Sequence, residues 1–151
     1  PVPWGTWYQD CQRQPVFLYP EAGLGSRISQ SIGIRLFERE PYDPWPQALW
    51  GQDVPVKAGN MYRIGGWVRT ENIVGKGGAM IVPHWKGPLD KWIGLTEFMS
   101  FTRGTNGWTY YEGAVTAPPG AVMCGVFCLV AGCSGTAWFD EIMFQEALSK
   151  P

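Results

Sequence analysis

The chain has 151 residues, 45% of them hydrophobic and only 17% charged, with a formal net charge of −1. That balance lacks the basic footprint of a nucleic-acid binder, and no apolar run reaches the ~18 residues of a membrane span. Twenty Gly and 13 Pro make the chain turn-rich and argue against a helical bundle, while nine Trp, six Tyr and seven Phe are its most unusual count.

The length suits one domain covering residues 1–151. A start at Pro1-Val2-Pro3-Trp4, without Met or a charged-then-apolar leader, reads as a processed or excised piece. Residues 4–8 and 16–19 look extended, and residues 31–37 alternate apolar with polar. Residues 40–50 hold three prolines and two tryptophans, which suits a long surface loop, and residues 47–54 re-enter a strand.

The second half divides into short strands between turn signals. Residues 61–69 follow Lys57-Ala58-Gly59-Asn60, with Tyr62, Ile64, Gly66 and Val68 on one face and Arg63, Gly65, Trp67 and Arg69 on the other. Residues 79–85 are reached through Gly75, Gly77 and Gly78. Residues 108–117 are closed by Pro118-Pro119-Gly120. Residues 123–131 and 136–144 are joined by Gly132-Cys133-Ser134-Gly135. Short strands, regular turns and no amphipathic helix point to an all-β sandwich of jelly-roll type.

Four cysteines form no obvious framework. Cys124 and Cys128, if on one strand, stand roughly 13 Å apart, too far for a disulfide. They read as small buried hydrophobes, and a Cys11–Cys133 pairing stays geometrically open. No CxxC spacing or His–Cys cluster suggests zinc.

Three motifs in order carry a family resemblance. Val54-Pro55-Val56-Lys57-Ala58-Gly59-Asn60-Met61-Tyr62-Arg63-Ile64-Gly65-Gly66-Trp67-Val68-Arg69 is similar to a strand-turn-strand ending in "sgWvr". Gly107-Trp108-Thr109-Tyr110-Tyr111-Glu112-Gly113-Ala114-Val115-Thr116-Ala117-Pro118 is similar to "gWtxysgtftaP". Gly135-Thr136-Ala137-Trp138-Phe139-Asp140-Glu141-Ile142 is similar to the closing "GtvwfDdv". Together they resemble the carbohydrate-binding modules of families four, nine, sixteen and twenty-two. The resemblance implies a galactose-binding-domain-like jelly roll of two antiparallel sheets, secreted as a monomeric accessory module of a glycoside hydrolase. It implies binding of a β-linked oligo- or polysaccharide in an aromatic-lined cleft, with neither nucleic acid nor membrane as partner.

Flat aromatics stack under the apolar faces of sugar rings, while amides, carboxylates and guanidinium groups take the hydroxyls. Trp67 leads as the platform, because its alternate neighbours read as core and Gly65 leaves space beside it, with Arg69 or Arg63 as donors. Tyr110 and Glu112 alternate with core positions and form an outward pair. Phe127 projects opposite Val126 and Cys128. His84, the only histidine, suits a hydrogen-bonding position on a cleft rim. Trp85 reads as platform or core, because Pro83 obscures the strand parity. Trp45, held between Pro44 and Pro46, joins Trp50 and Trp92 as loop candidates, and Trp108 and Trp138 match core positions of the resemblance. Asp140 matches an Asp that binds structural calcium in these families, with Glu21 as the second ligand.

Two other function classes compete: a small glycosidase or lyase, and a structural or interaction domain. Glycosidases need two carboxylates flanking a bond. Asp140 and Glu141, being adjacent on a strand, face opposite sides, whereas Glu97, Glu112 and Asp90 stay open as candidates.

Overall fold

The structure, a computed structural model, describes residues 4–19 and 31–147. Eight strands run in chain order: β1 Gly5–Gln9, β2 Val16–Leu18, β3 Ile32–Phe37, β4 Gln47–Pro55, β5 Met61–Lys86, β6 Trp92–Leu95, β7 Gly104–Thr116 and β8 Met123–Glu146. A short 3-10 turn, Pro88–Asp90, precedes β6, and the described residues contain no α-helix.

Two long strands organise everything else. The first half of β8 lies between β4 and the second half of β5, pairing Cys128 with Trp50 on one side and Ile81 on the other. Its second half lies between β3 and the first half of β5, pairing Phe139 with Ile32 and Val68. β1 extends β4, β6 and β7 flank the two halves of β5, and β2 extends β3. All pairings are antiparallel. The result is the expected two-sheet sandwich: one sheet in the order β1-β4-β8-β5-β6, the other β2-β3-β8-β5-β7.

The glycine runs that read as strand breaks are bends instead. β5 shifts register between Gly75 and Gly78 without ending, and β8 passes through Gly132 and Gly135. Gly75, Gly132 and Gly135 have φ of +148°, +60° and +121°, backbone that residues bearing a Cβ rarely adopt. A Cβ on Gly132 would sit 2.1 Å from Cη2 of Trp45, and one on Gly75 would sit 2.5 Å from the Gly132 carbonyl oxygen. The corner closes only because nothing projects into it.

Strand alternation supplies the core between the sheets. Tyr62, Ile64 and Val68 are buried while Met61 and Arg63 are exposed, and Ala79, Ile81 and Trp85 continue the same face beyond the bend. Trp85 is therefore corrected from a possible surface platform to core: it is 1% exposed and its Nε1 donates to Oγ1 of Thr96 at 2.9 Å. Pro83 leaves the parity intact, since the pairing with β8 runs unbroken from Val82 to Lys86. Trp50 is likewise internal, its Nε1 donating to the Gly33 carbonyl at 2.9 Å. A buried indole needs such an acceptor, because an unpaired donor costs about 1–3 kcal/mol.

All four thiols are free, so Cys11 and Cys133 do not pair. Cys124, Cys128 and Cys133 are buried and fill core space as small apolar side chains. The buried acid Glu38 accepts from the Gln12 amide at 2.8 and 2.9 Å and from the Arg13 amide at 3.4 Å. It thereby ties the β1–β2 connection to the end of β3.

Candidate functional site

The outer face of the β2-β3-β8-β5-β7 sheet collects a row of large side chains. On β5, Trp67, Arg69 and Glu71 alternate with buried Val68 and Thr70. On β8, Thr136, Trp138 and Asp140 alternate with buried Ala137 and Phe139. The register sets Trp67 beside Tyr110 of β7 and Asp140, Arg69 beside Trp138, and Glu71 beside Thr136, which pairs in turn with Arg35 of β3.

The row has defined geometry. The Trp67 and Tyr110 rings lie 5.4 Å apart and are tilted by 55°. The Tyr110 hydroxyl donates to Oε1 of Glu112 at 2.6 Å, and Nε of Arg63 donates to Oε2 at 3.1 Å. These bonds, the tyrosine's first, hold the Glu112 carboxyl below its ordinary range, while the bond to Glu112 raises the Tyr110 phenol. Further along, the Arg69 guanidinium stands 4.8 Å over the Trp138 ring. A groove of about 630 Å³ continues from there, lined by Trp138, Thr136, Glu71, Asn72, Arg35 and Phe37 among others. The guanidinium groups of Arg13 and Arg35 approach the Phe37 ring to 4.4 and 4.9 Å.

The structure thus brings Trp67, Arg69, Tyr110 and Glu112 together and adds two residues that sequence reasoning missed. Trp138 is corrected from core to this face: it is half-buried, while its neighbours Ala137 and Phe139 take the interior. The alternation Thr136, Trp138, Asp140 was the available signal. Trp108 is half-buried rather than core, on the strand parity of Tyr110. Arg35, exposed between buried Ile34 and Leu36, is the other addition.

The remaining candidates lie elsewhere. His84 and Phe127 sit on the outer face of the opposite sheet, their rings 4.5 Å apart. Burial first, and the Lys86 charge second, push the His84 imidazole down to about 4, so it is neutral at physiological pH. Trp45 lies across the glycine corner, with Phe101 6.4 Å away.

Calcium needs six to eight oxygen ligands. Oδ1 of Asp140 accepts the Glu141 amide at 2.8 Å, and Glu21 lies outside the described residues. Among the described residues no three His, Cys, Asp or Glu side chains converge on a common point.

The face can stack planar rings and meet hydroxyls with fixed donors and acceptors. Glu112, held low by its two donors, presents an ionised acceptor on this face.

No family model matches the sequence, and no curated protein matches it. Solved structures do match in fold. Family 16 Carbohydrate Binding Module-2 aligns with a TM-score of 0.54 and 18% identity over 91% of this chain and 89% of its own. The C-terminal family 22 carbohydrate binding module of Clostridium thermocellum Xyn10B aligns with a TM-score of 0.56 and 16% identity, over 95% and 85%. The enzymatically active domain of tailspike protein 4 from bacteriophage CBA120 gives a TM-score of 0.62 and 11% identity over 96% of this chain. The chain spans only 19% of that tailspike domain. The fold is therefore the β-sandwich jelly roll of carbohydrate-binding modules.

Proposed function

We propose that the chain is a non-catalytic carbohydrate-binding module that holds one β-linked polysaccharide strand along the outer face of β7, β5, β8 and β3. One observation carries the reading: the Trp67–Tyr110 pair stands next to the Arg69–Trp138 pair on a fold shared with carbohydrate-binding modules. Two indoles two registers apart offer successive stacking surfaces. Glu112, Arg63, Asp140 and Arg35 supply charged groups around them, which form stronger hydrogen bonds to hydroxyls than neutral groups do. Ionised Glu112 acts as an acceptor held in place by two donors, so little orientation is lost on binding. Affinity is modest, because each sugar contact replaces a contact with water.

The reading extends to a secreted chain that acts as a monomer and directs an attached glycoside hydrolase to glucan, mannan, xylan or galactan. Electrophoresis through gels containing each polysaccharide tests it. Retarded migration in at least one gel, lost in Trp67→Ala and Trp138→Ala, is the expected result; unretarded migration in all four overturns it.

The likeness to the enzymatically active domain of a tailspike favours a second reading, a segment of a larger enzyme. Release of reducing sugar by the isolated chain would establish that reading against the first.

A further inference from the structure

The groove beyond Trp138 gathers positive charge on a chain whose formal net charge is −1. Guanidinium groups of Arg13, Arg35 and Arg39 line it, against the carboxylates of Glu38 and Glu71. Glu38 is 3% exposed, and its oxygens accept the Gln12 and Arg13 amides. Glu71 stands on β5, two strands from Arg35, with Thr136 of β8 between them. Two strand spacings put roughly 10 Å between their backbones. Positive charge therefore prevails at the β3 end.

The local fold explains why the arginines gather there. β3 presents Arg35 and Phe37 outward because buried Ile34 and Leu36 alternate with them. Just past β3, Glu38 holds the Gln12 and Arg13 amides. The Gln12 side chain adds two bonds to the Arg39 backbone, donating to its carbonyl at 3.1 Å and accepting its amide at 3.2 Å. The β1–β2 connection is thus clamped against the end of β3. Arg13 lands with its guanidinium carbon 4.4 Å from the Phe37 ring centroid, and Arg35 reaches the same ring at 4.9 Å.

A guanidinium laid on a ring keeps its N–H donors at its edges, where they match the two oxygens of a planar carboxylate. Two such forks on one ring repel each other, and an anion between them removes the repulsion. Stacking fixes both forks in advance, so little orientation is lost on binding. Trp138 connects this end to the aromatic row. It faces Gly33 across the β3–β8 pair, where a Cβ would come within 2.9 Å of the indole and 3.1 Å of Leu18. The indole therefore spreads over β3 at a position two residues from Arg35, on the same face.

We infer that the β3 end of this groove recognises acid: Arg13 and Arg35 clamp the carboxylate of a uronosyl residue carried by the polysaccharide. The preferred ligand is then an acidic polymer, a selection the aromatic row does not make. The inference rests on the glycan-binding reading above and names residues that reading does not need for stacking.

Affinity electrophoresis in three pairs of gels tests it. They contain glucuronoxylan, β-1,4-mannuronan or xanthan, each beside the same polymer with its carboxyl groups reduced to alcohols. General attraction to a polyanion does not retard a chain of net charge −1. At least one acidic polymer should bind fivefold or more tightly than its reduced form, and the excess should fade in added salt. Arg13→Gln, at an exposed position, should remove most of the excess and leave retardation by the reduced form unchanged. Arg13→Lys should restore part of it. Equal retardation by acidic and reduced forms in every pair overturns the acid clamp and leaves the glycan-binding reading standing. An excess that persists in both Arg13→Gln and Arg35→Gln overturns the clamp as well. Retardation by an acidic polymer that survives Trp67→Ala and Trp138→Ala but fails in Arg13→Gln supports the clamp and overturns the aromatic platform. Unretarded migration in all six gels overturns both.

Discussion

Tyr110 links Trp67 to Glu112: its ring lies 5.4 Å from the indole while its hydroxyl donates to the carboxylate at 2.6 Å. The platform and its charged rim are therefore set by one side chain. Tyr110→Phe keeps the ring and frees Glu112 from one of its two anchors. It should weaken polysaccharide retardation about threefold, and Glu112→Ala about tenfold. Thermal stability should hardly move in either, because exposed ion pairs contribute little. Gel retardation beside a melting curve checks both.

Trp138 holds Arg69 by its ring face at 4.8 Å. Trp138→Phe keeps an apolar face of smaller area, and Trp138→Ala removes it. Affinity should fall in the order wild type, Phe, Ala, with about a tenfold loss or more for Ala, since the apolar face of a sugar ring gains from planar contact with an aromatic. An unchanged Kd in Trp138→Ala would confine the site to Trp67 and Tyr110.

Gly132→Ala tests the corner. The new Cβ meets the Trp45 ring at 2.1 Å on backbone with φ +60°, so Trp45 must leave or β8 must shift. A loss of about 1–3 kcal/mol in chemical denaturation is expected. Gly104→Ala is the comparison: it shares positive φ, +79°, but has nothing within 4 Å, so its loss should be smaller.

His84 gives a pH dependence. The unfolded chain binds the imidazole proton near its ordinary value of 6.5, and the folded chain only near 4, because burial and Lys86 oppose the charge. The unfolded state therefore holds more protons between those values, and stability falls as pH drops through that window. The midpoint temperature should decline from pH 6.5 to 4 by more in the wild type than in His84→Gln.

The thiols are predicted to be inert. Burial, reinforced by Glu38, raises Cys11 to about 11; burial raises Cys124 and Cys133 to about 12 and Cys128 still higher. Thiolate is the reactive form, so a thiol reagent at pH 8 should label the native chain slowly and all four cysteines on denaturation. The melting curve should ignore reductant. Rapid native labelling of Cys124, Cys128 or Cys133, or a reductant-sensitive melt, would contradict free thiols buried in the core.

Much of the fold was legible because alternation has one physical cause, burial of one strand face. Tyr62, Ile64 and Val68 show it without ambiguity, and the outward position of Trp67 followed from them. Trp138 matches a core position of the motif resemblance, yet the parity of buried Ala137 and Phe139 around it puts it on the outer face. Glycines mark both turns and bends, so Gly75–Gly78 and Gly132–Gly135 read as strand ends although the hydrogen-bond ladder passes through them. Neither Trp7 on β1 nor Trp92 on β6 could be assigned to a sheet edge from local pattern. Their placement depends on which strands form the two edges of a sheet, and only long-range pairing decides that.

Because β5 and β8 are central in both sheets, neither sheet can be completed while the other is still open. A half-formed sandwich would leave its two middle strands with unpaired backbone along half their length. Folding and unfolding should therefore be all-or-none, with late closure, since strands beginning at Met61 and Met123 must meet across a long intervening chain.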